Sequence, residues 1–180
     1  EGGTFARAGA SSCQDCIEGR YSDDGRTECL LCEPGTFGNI TRAESASEAC
    51  FPCPLGKYTS NIAGNTECVE CPQGTRGDDS GNILLFVGRE LSCVDCKVGK
   101  ATPNFGSTSC ETCSPASFAD EPGLKACKPC LIGHRCHRDG MVNPEPCPVG
   151  THCGSRGLIS PALCPENTYQ DKAAQVTCKE

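Results

Sequence analysis

The apolar residues of this chain are scattered, and over most of its length they follow neither a helical nor a strand period. One aliphatic run stands out, and it comprises Ile83, Leu84, Leu85, Phe86 and Val87. Glycine and asparagine bound this apolar run, so its length and flanks predict a strand. Thr41 and Glu44 have the spacing of a capping box and predict a short helix over residues 45–49. Little other helix is expected.

Composition explains why the apolar pattern is thin. The 180 residues include 19 cysteines, 21 glycines and 13 prolines, whereas leucine, isoleucine, valine and phenylalanine together number 29. This is too few to line one core of such a length, while the cysteine content is that of a disulfide scaffold. The composition therefore predicts a small disulfide-rich fold in an extracellular or cell-surface compartment. It argues against an ordinary single-core enzyme domain.

Charge and hydropathy exclude two classes of partner. The formal net charge is −7, from 16 basic and 23 acidic residues, and such a surface offers nothing to phosphate backbones. No apolar stretch approaches the roughly 18 residues of a membrane span. We therefore expect no nucleic acid partner and no membrane insertion within this segment.

The cysteines define a tandem repeat, because seven Cys-x-x-Cys pairs occur between Cys13 and Cys130. We suppose that the second cysteine of each pair (the opener) starts a loop, which the first cysteine of the next pair (the closer) completes. A further loop of the same kind lies near the C-terminus. The predicted bridges are Cys16–Cys29, Cys32–Cys50, Cys53–Cys68, Cys71–Cys93, Cys96–Cys110, Cys113–Cys127 and Cys164–Cys178.

Positions not used in this alignment agree with it. The residue three places after the opener is nearly always glycine, which suits a turn with positive φ. Five places after the opener, six of the nine aromatic residues fall in one column, once Phe5 is counted. A small residue, Ala46 among them, lies four places before most closers. The alignment predicts modules that touch mainly their neighbours.

Cys13 has no opener before it in the chain. Gly3-Thr4-Phe5 repeats Gly35-Thr36-Phe37, which follows Cys32 at the third to fifth place. An opener is therefore expected just before Glu1, so that Cys13 is paired outside the chain or unpaired within it. A cysteine is likewise expected after Cys178-Lys179-Glu180, and we expect the chain to be a window from a longer array.

The spacing changes between Cys130 and Cys164. Two copies of Cys-x5-Cys follow each other here, and four cysteines permit three connectivities. Equivalence of the two copies favours the bridges Cys130–Cys136 and Cys147–Cys153.

The segment Cys50-Phe-Pro-Cys53-Pro-Leu-Gly56-Lys-Tyr58 resembles the ephrin-receptor-like cysteine-rich repeat, and it is similar to the one-disulfide module of tumour necrosis factor receptors. The resemblance extends over the whole chain and implies an extracellular tandem array. We expect Cys-x-x-Cys-jointed modules over residues 1–129, two variant modules over 130–163 and a final module over 164–180. The expected fold is an elongated rod of one-disulfide modules with short β pieces, turns and little helix. The aromatic column is interrupted at Arg76, Ala101, Arg135 and His152.

Two functions fit this resemblance. The first is a non-enzymatic structural segment of a stalk, fibre or filament, with copies of itself or neighbouring modules of the same polypeptide as partners. The second is a ligand-binding or adhesion ectodomain of a cell-surface receptor. Near-continuous modules without a distinct head favour the first. The apolar run is expected either to cap its own module or to contact another subunit.

Candidate chemistry is sparse. Paired Cys-x-x-Cys motifs can bind structural zinc, but a serial chain of loops does not close into groups of four cysteines. No metal or other cofactor is therefore expected, and His134, His137 and His152 are assigned to packing or solvent. No catalytic constellation is evident, so we expect that the chain is not an enzyme.

Two surface motifs remain. Asn39-Ile40-Thr41 is the only N-glycosylation sequon, so we expect an N-glycan at Asn39, and the serine and threonine content leaves room for O-glycans. Arg76, Gly77 and Asp78 form the tripeptide that integrins bind in adhesion proteins, although a turn rich in glycine and aspartate is the simpler interpretation.

The pairing scheme makes a direct prediction. Peptide mapping without reduction should find every Cys-x-x-Cys motif divided between two bridges, because each motif is the joint between two loops. A peptide in which Cys29 is linked to Cys32 would contradict the scheme.

Overall fold

The structure is a computed structural model that describes residues 2–77 and 92–180. The chain divides into two compact units. The first comprises Glu1–Pro72, Arg76–Val94 and Phe105–Thr108, and the second comprises Gln73–Thr75, Asp95–Asn104 and Ser109–Glu180. The predicted strand over the apolar run lies outside the described residues.

Short strands and turns make up nearly all of the regular structure. The helix whose bounds both lie within the described residues is α1 (Ala46–Ala49). Within residues 2–77 and 92–180 the strands pair into nine two-stranded sheets, each formed by two successive strands of this description. The strands are β1 (Thr4–Phe5), β2 (Gln14–Asp15), β3 (Arg20–Tyr21), β4 (Leu30–Leu31), β5 (Thr36–Phe37), β6 (Phe51–Pro52), β7 (Lys57–Tyr58), β8 (Val69–Glu70), β9 (Thr75–Gly77), β10 (Cys93–Asp95), β11 (Lys100–Ala101), β12 (Glu111–Thr112), β13 (Ser117–Phe118), β14 (Lys128–Pro129), β15 (His134–Arg135), β16 (Glu145–Pro146), β17 (Thr151–His152) and β18 (Ala162–Leu163).

Each sheet is built from the same two places in the repeat. The first strand holds the fourth and fifth residues after an opener, and the second strand holds the two residues just before the next opener. In the module that Cys53 opens, Lys57 pairs with Glu70 and Tyr58 pairs with Val69, and the two strands are antiparallel. The Cys-x-x-Cys joint is therefore itself a strand of the preceding module, which leaves no free linker between modules.

A tight turn leads into each first strand. In the module that Cys53 opens, the N–H of Lys57 donates to the carbonyl of Pro54 at 3.0 Å. Gly56, with a φ of 85°, is the third residue of this turn. This is the type II geometry, which needs positive φ at that place. We call the residue at this place the turn residue.

A second place in each module whose loop the structure describes also has positive φ. The residues with positive φ in the described chain all belong either to the turn residues or to this second set, which comprises Gly9, Gly25, Arg42, Gly64, Gly106, Gly123, Gly140, Gly157 and Ala174. We call the members of this set the return residues.

The assignment of Ala46 to the column of small residues was wrong. Arg42, at φ 59°, is the return residue of that module, and Ala46 is the first residue of α1. The helix lengthens the loop between the return residue and the closer, so counting back from Cys50 gives the wrong position. The predicted capping box does not form either, since Ser45 is the N-cap and has no side-chain cap. Instead, the Glu48 carboxylate accepts the N–H of Glu44 at 2.9 Å.

Backbone hydrogen bonds join each module to the next. At the joint between the modules of Cys113 and Cys130, the N–H of the turn residue Ala116 donates to the carbonyl of Cys136 at 2.7 Å. The N–H of the opener Cys130 donates back to the carbonyl of Ala116 at 2.8 Å. The second of these bonds recurs at every opener from Cys16 to Cys164.

Two further backbone bonds complete the joint. The return residue Gly140 donates its N–H to the carbonyl of the preceding opener Cys113 at 2.7 Å, and Ala119 donates to the carbonyl of Met141 at 2.9 Å. Equivalent pairs recur in both units. Because all four bonds at this joint use main-chain atoms, they do not depend on the chemical type of the side chains that the bonded residues carry.

Sulfur atoms and small side chains line the interior. The openers from Cys16 to Cys147 are at most 3% exposed, and the residue six places after the opener is equally buried at Ser22, Thr59, Thr102 and Ala119. Thr59 also supplies a joint bond, because its Oγ1 accepts the N–H of Gly35 at 2.7 Å. Large aliphatic residues lie outside instead, with Leu163 79% exposed.

The column residue five places after the opener packs on the next module. Phe118 is 4% exposed and forms a cluster with Cys130, Cys136 and Met141 of the module that follows. Tyr21 packs in the same way against the cluster that contains Cys32 of the next module. The aromatic side chain therefore covers the bridge of the following module, where it adds burial to the backbone bonds.

The turn residue must also accommodate a module two places further on. A Cβ added at Gly99 would lie 2.5 Å from the carbonyl oxygen of Gly140. At Gly150 the φ is nearly the same, 77° against 79°, but nothing lies within 4 Å of an added Cβ. A comparison of alanine substitutions at these two positions therefore separates the stability lost through positive φ from the stability lost through the close contact.

Gly99→Ala should therefore lower the free energy of unfolding more than Gly150→Ala does. The second variant carries only the left-handed strain of about 1–2 kcal/mol, whereas the first must also displace a backbone carbonyl. Denaturant unfolding of both variants with intact bridges measures the difference. Equal losses would show that contact between a module and the second module after it contributes nothing.

Phe118→Ala should lower the free energy of unfolding by about 3 kcal/mol, because a buried ring is removed from the next bridge. Tyr169 occupies the same column but is 54% exposed, so Tyr169→Ala should cost well under half as much. Thermal unfolding of the two variants makes the comparison, and a similar shift in both would rule out the packing role of the column.

Candidate functional site

The structure brings together all nine predicted cysteine pairs. Each bridge of a Cys-x-x-Cys-jointed module links an opener to its own closer, and both Cys-x5-Cys segments are bridged internally. The pairs are Cys16–Cys29, Cys32–Cys50, Cys53–Cys68, Cys71–Cys93, Cys96–Cys110, Cys113–Cys127, Cys130–Cys136, Cys147–Cys153 and Cys164–Cys178.

The two variant modules keep the backbone of the others and move the bridge. Cys136 and Cys153 occupy the buried place six residues after the opener, which elsewhere holds small residues such as Thr59. The place of the closer, three residues before the next opener, is taken by Pro144 and Pro161. A constant spacing of 17 residues between openers, which begins at Cys96, is the sequence signal for this equivalence.

His152 is the column residue that places an ionisable group against a bridge. Its Nδ1 lies 3.3 Å from the Sγ of Cys178, in the place where Phe118 packs on the next module. The potential ligand atoms of His152, Cys164 and Cys178 lie within 4.8 Å of one another. The two sulfurs are joined in a disulfide, however, and metals bind the thiolate form. With the bridge closed, the cluster therefore lacks the donors for a metal centre.

Cys13 is exposed and has no disulfide partner among residues 2–77 and 92–180. It lies three residues before the opener Cys16 and just before β2, which is the position of a closer.

The sequon is accessible. Asn39, Ile40 and Thr41 are all exposed, between the buried Gly38 and the return residue Arg42. Gly38 is fixed by the joint, since its N–H donates to the carbonyl of Asn65 at 2.9 Å.

The structure describes two residues of the adhesion tripeptide. Arg76 and Gly77 belong to strand β9, where Gly77 is buried and donates its N–H to the carbonyl of Ser107 at 2.8 Å. A Cβ at Gly77 would lie 2.3 Å from the backbone nitrogen of Gly56. These two residues therefore serve a module joint, while Asp78 lies outside the described residues.

The predicted contact residues Ile83, Leu84, Leu85, Phe86 and Val87 also lie outside the described residues, so the assignment of the apolar run stays a prediction. Among the helices of the described residues, none has the length and apolar character needed to cross a bilayer.

Ion pairs lie on the surface of the modules. The Glu145 carboxylate forms ion pairs with two guanidinium groups. Its Oε2 lies 3.2 Å from Nη2 of Arg135, and its Oε1 lies 3.1 Å from Nη2 of Arg138. A hydrogen bond from Lys128 holds the pKa of Asp120 below its ordinary value. Such exposed pairs are screened by solvent and contribute little to stability, so we assign them no functional role.

Known proteins contain similar modules. The family model described as "Tyrosine-protein kinase ephrin type A/B receptor-like" matches residues 3–48 and 41–82. These two overlapping matches cover the first modules of the repeat.

Longer proteins share parts of the chain. Sushi, von Willebrand factor type A, EGF and pentraxin domain-containing protein 1 of Rattus norvegicus is 33% identical over 104 residues, which are 57% of this chain and 3% of that protein. Signal peptide, CUB and EGF-like domain-containing protein 2 of Mus musculus is 31% identical over 138 residues, with 60% of this chain and 12% of that protein covered. Thyroglobulin of Mus musculus is 36% identical over 99 residues, which are 49% of this chain and 3% of that protein.

The chain thus spans a small part of the curated relatives it matches, and the likeness concerns the module rather than the whole protein. Repeated single-bridge modules, short strand pairs and the family match agree with one another. The chain is a cysteine-rich extracellular repeat protein, and its modules within residues 3–82 match the ephrin-receptor-like family model.

Proposed function

We propose that this chain is a non-enzymatic structural segment of an extracellular stalk, fibre or filament. The observation that carries the proposal is the module joint, in which main-chain hydrogen bonds of the same kinds recur between successive modules in both units. A joint made from backbone atoms can be repeated indefinitely with variable side chains. This property suits a protein that holds other parts at a distance.

The side chains support the same proposal. Cysteines and small residues are committed to the interior, and the described residues contain no grouping of nucleophile, base and orienting residue. The adhesion alternative is weakened at Arg76 and Gly77, because strand pairing and burial hold Gly77 within a joint.

We further propose that copies of the chain associate through the apolar run. Five consecutive apolar residues occur in the longest cysteine loop, Cys71–Cys93. Small modules with sulfur-lined interiors have little room to bury them. Each such side chain contributes about 1.5–3 kcal/mol when buried, before the cost of association is subtracted. A contact that recurs in every subunit would therefore favour a polymer.

Leu85→Asp should weaken self-association strongly, because it would place a carboxylate in the contact. Sedimentation and electron microscopy of assembled chains measure the effect, with bridge mapping to verify folding. Leu163→Asp is the matched control, since Leu163 is 79% exposed in the described part of the chain. Assembly of the Leu85 variant at the parent level would overturn the contact while leaving the module joint untouched.

Asn39 should carry an N-glycan when the chain is secreted from eukaryotic cells, because the whole sequon is exposed. Peptide-N-glycosidase treatment should lower the mass of the peptide that contains Asn39. The variant Asn39→Gln should show no such change. An unmodified Asn39 peptide from the secreted protein would contradict this expectation.

A further inference from the structure

We propose that the bridge Cys164–Cys178 is a thiol–disulfide exchange site at which His152 assists the departure of the Cys178 sulfur. The substrate class is a small thiol, which adds to Cys164 and opens the bridge. Neither the structural role nor the family likeness assigns such an activity to the chain.

The geometry rests on the position of one ring. His152 belongs to strand β17 of one module, and the bridge Cys164–Cys178 belongs to the next. The imidazole Nδ1 is 3.3 Å from the Sγ of Cys178, within the reach of a hydrogen bond to sulfur. His152, Cys164 and Cys178 are each half-buried, so none of these three residues is fully enclosed.

A comparison with other residues of the same column shows what the imidazole of His152 adds. Phe118 and Tyr21 cover the bridges of their following modules with aromatic rings. A phenyl ring has no proton to offer a leaving sulfur, and phenol is a weak acid with a pKa near 10 in its ordinary state. The imidazole has the same flat shape but also two nitrogens that can donate or accept a proton.

The exchange reaction requires only the small thiol, the bridge and solvent. The thiolate of the small thiol attacks the Sγ of Cys164, a new disulfide bond forms, and the bond between Cys164 and Cys178 breaks. Cys178 leaves with the electron pair of that bond. The Nδ1–H of His152 donates a hydrogen bond to this sulfur as it leaves, and the Cys178 thiolate then takes a proton from solvent to give the thiol.

Stabilisation of the leaving thiolate speeds exchange, because a better leaving group departs faster. The same stabilisation determines direction. If His152 acts on Cys178, the mixed disulfide must form on Cys164 and the free thiol must appear on Cys178.

The experiment exposes the folded 180-residue chain to reduced glutathione, followed by alkylation of free thiols and mass spectrometry of the peptides. We expect glutathione on Cys164 and the alkyl group on Cys178. A predominance of glutathione on Cys178 would overturn the proposal. The bridge Cys113–Cys127 reports on general unfolding and should stay closed while the exchange is measured.

The variants His152→Phe and His152→Tyr test the residue itself. Both keep an aromatic ring in the column, so the bridge stays covered, and the tyrosine variant decides if the phenylalanine variant does not form its native bridges. Opening of Cys164–Cys178 should slow by about fivefold, as expected when an electrostatic partner of the leaving sulfur is removed. The preference for Cys164 should also disappear. An unchanged rate and an unchanged preference would show that His152 is only a packing residue.

Discussion

Each opener cysteine donates its N–H to the carbonyl of the turn residue before it and, at most joints, its own carbonyl accepts the N–H of the return residue of the next module. This pair of main-chain bonds fixes the distance between successive modules. The turn and return residues must then have positive φ, and the strands are limited to two or three residues because the next joint follows at once. The disulfide closes a loop whose path the backbone bonds have already set.

Burial of large apolar side chains contributes less to the stability of this chain than to that of a globular domain. Sulfur atoms and small side chains fill the interior, and most large aliphatic residues face solvent. A globular domain loses several kcal/mol when one large core residue is truncated. Here the interior offers few such residues, and stability depends on crosslinks that restrict the unfolded chain and on bonds between neighbours. Arrays of this kind tolerate wide variation in sequence, which is consistent with identities near one third to otherwise different proteins.

Much of this could be predicted from the sequence because cysteine spacing and glycine columns report directly on the bridges and on positive φ. The column of aromatic residues likewise marked one repeated position, and Tyr21 and Phe118 at that position pack on the next module. The prediction was wrong at Ala46, because a four-residue helix inserted before Cys50 shifted the count while the return residue was an arginine. The contact between His152 and Cys178 could not be predicted, since nothing in the spacing shows which side chain covers which bridge. Only the backbone shows that Pro144 and Pro161 stand at the position of a closer. In the sequence alone, a module without a closer cysteine looks like a different kind of module.

The displaced bridges of the two variant modules affect how the chain would respond to a pulling force. In a module such as that of Cys113, tension passes through the bridge to Cys127, and only the short joint to Cys130 can be drawn out. In the variant modules the bridge ends at Cys136 or Cys153, and the chain from there to the next opener carries no crosslink. That stretch of about eleven residues can lengthen to ~35 Å once its hydrogen bonds break. Under force, residues 130–163 would therefore lengthen in two places, whereas a module bridged from opener to closer would lengthen only at its joint.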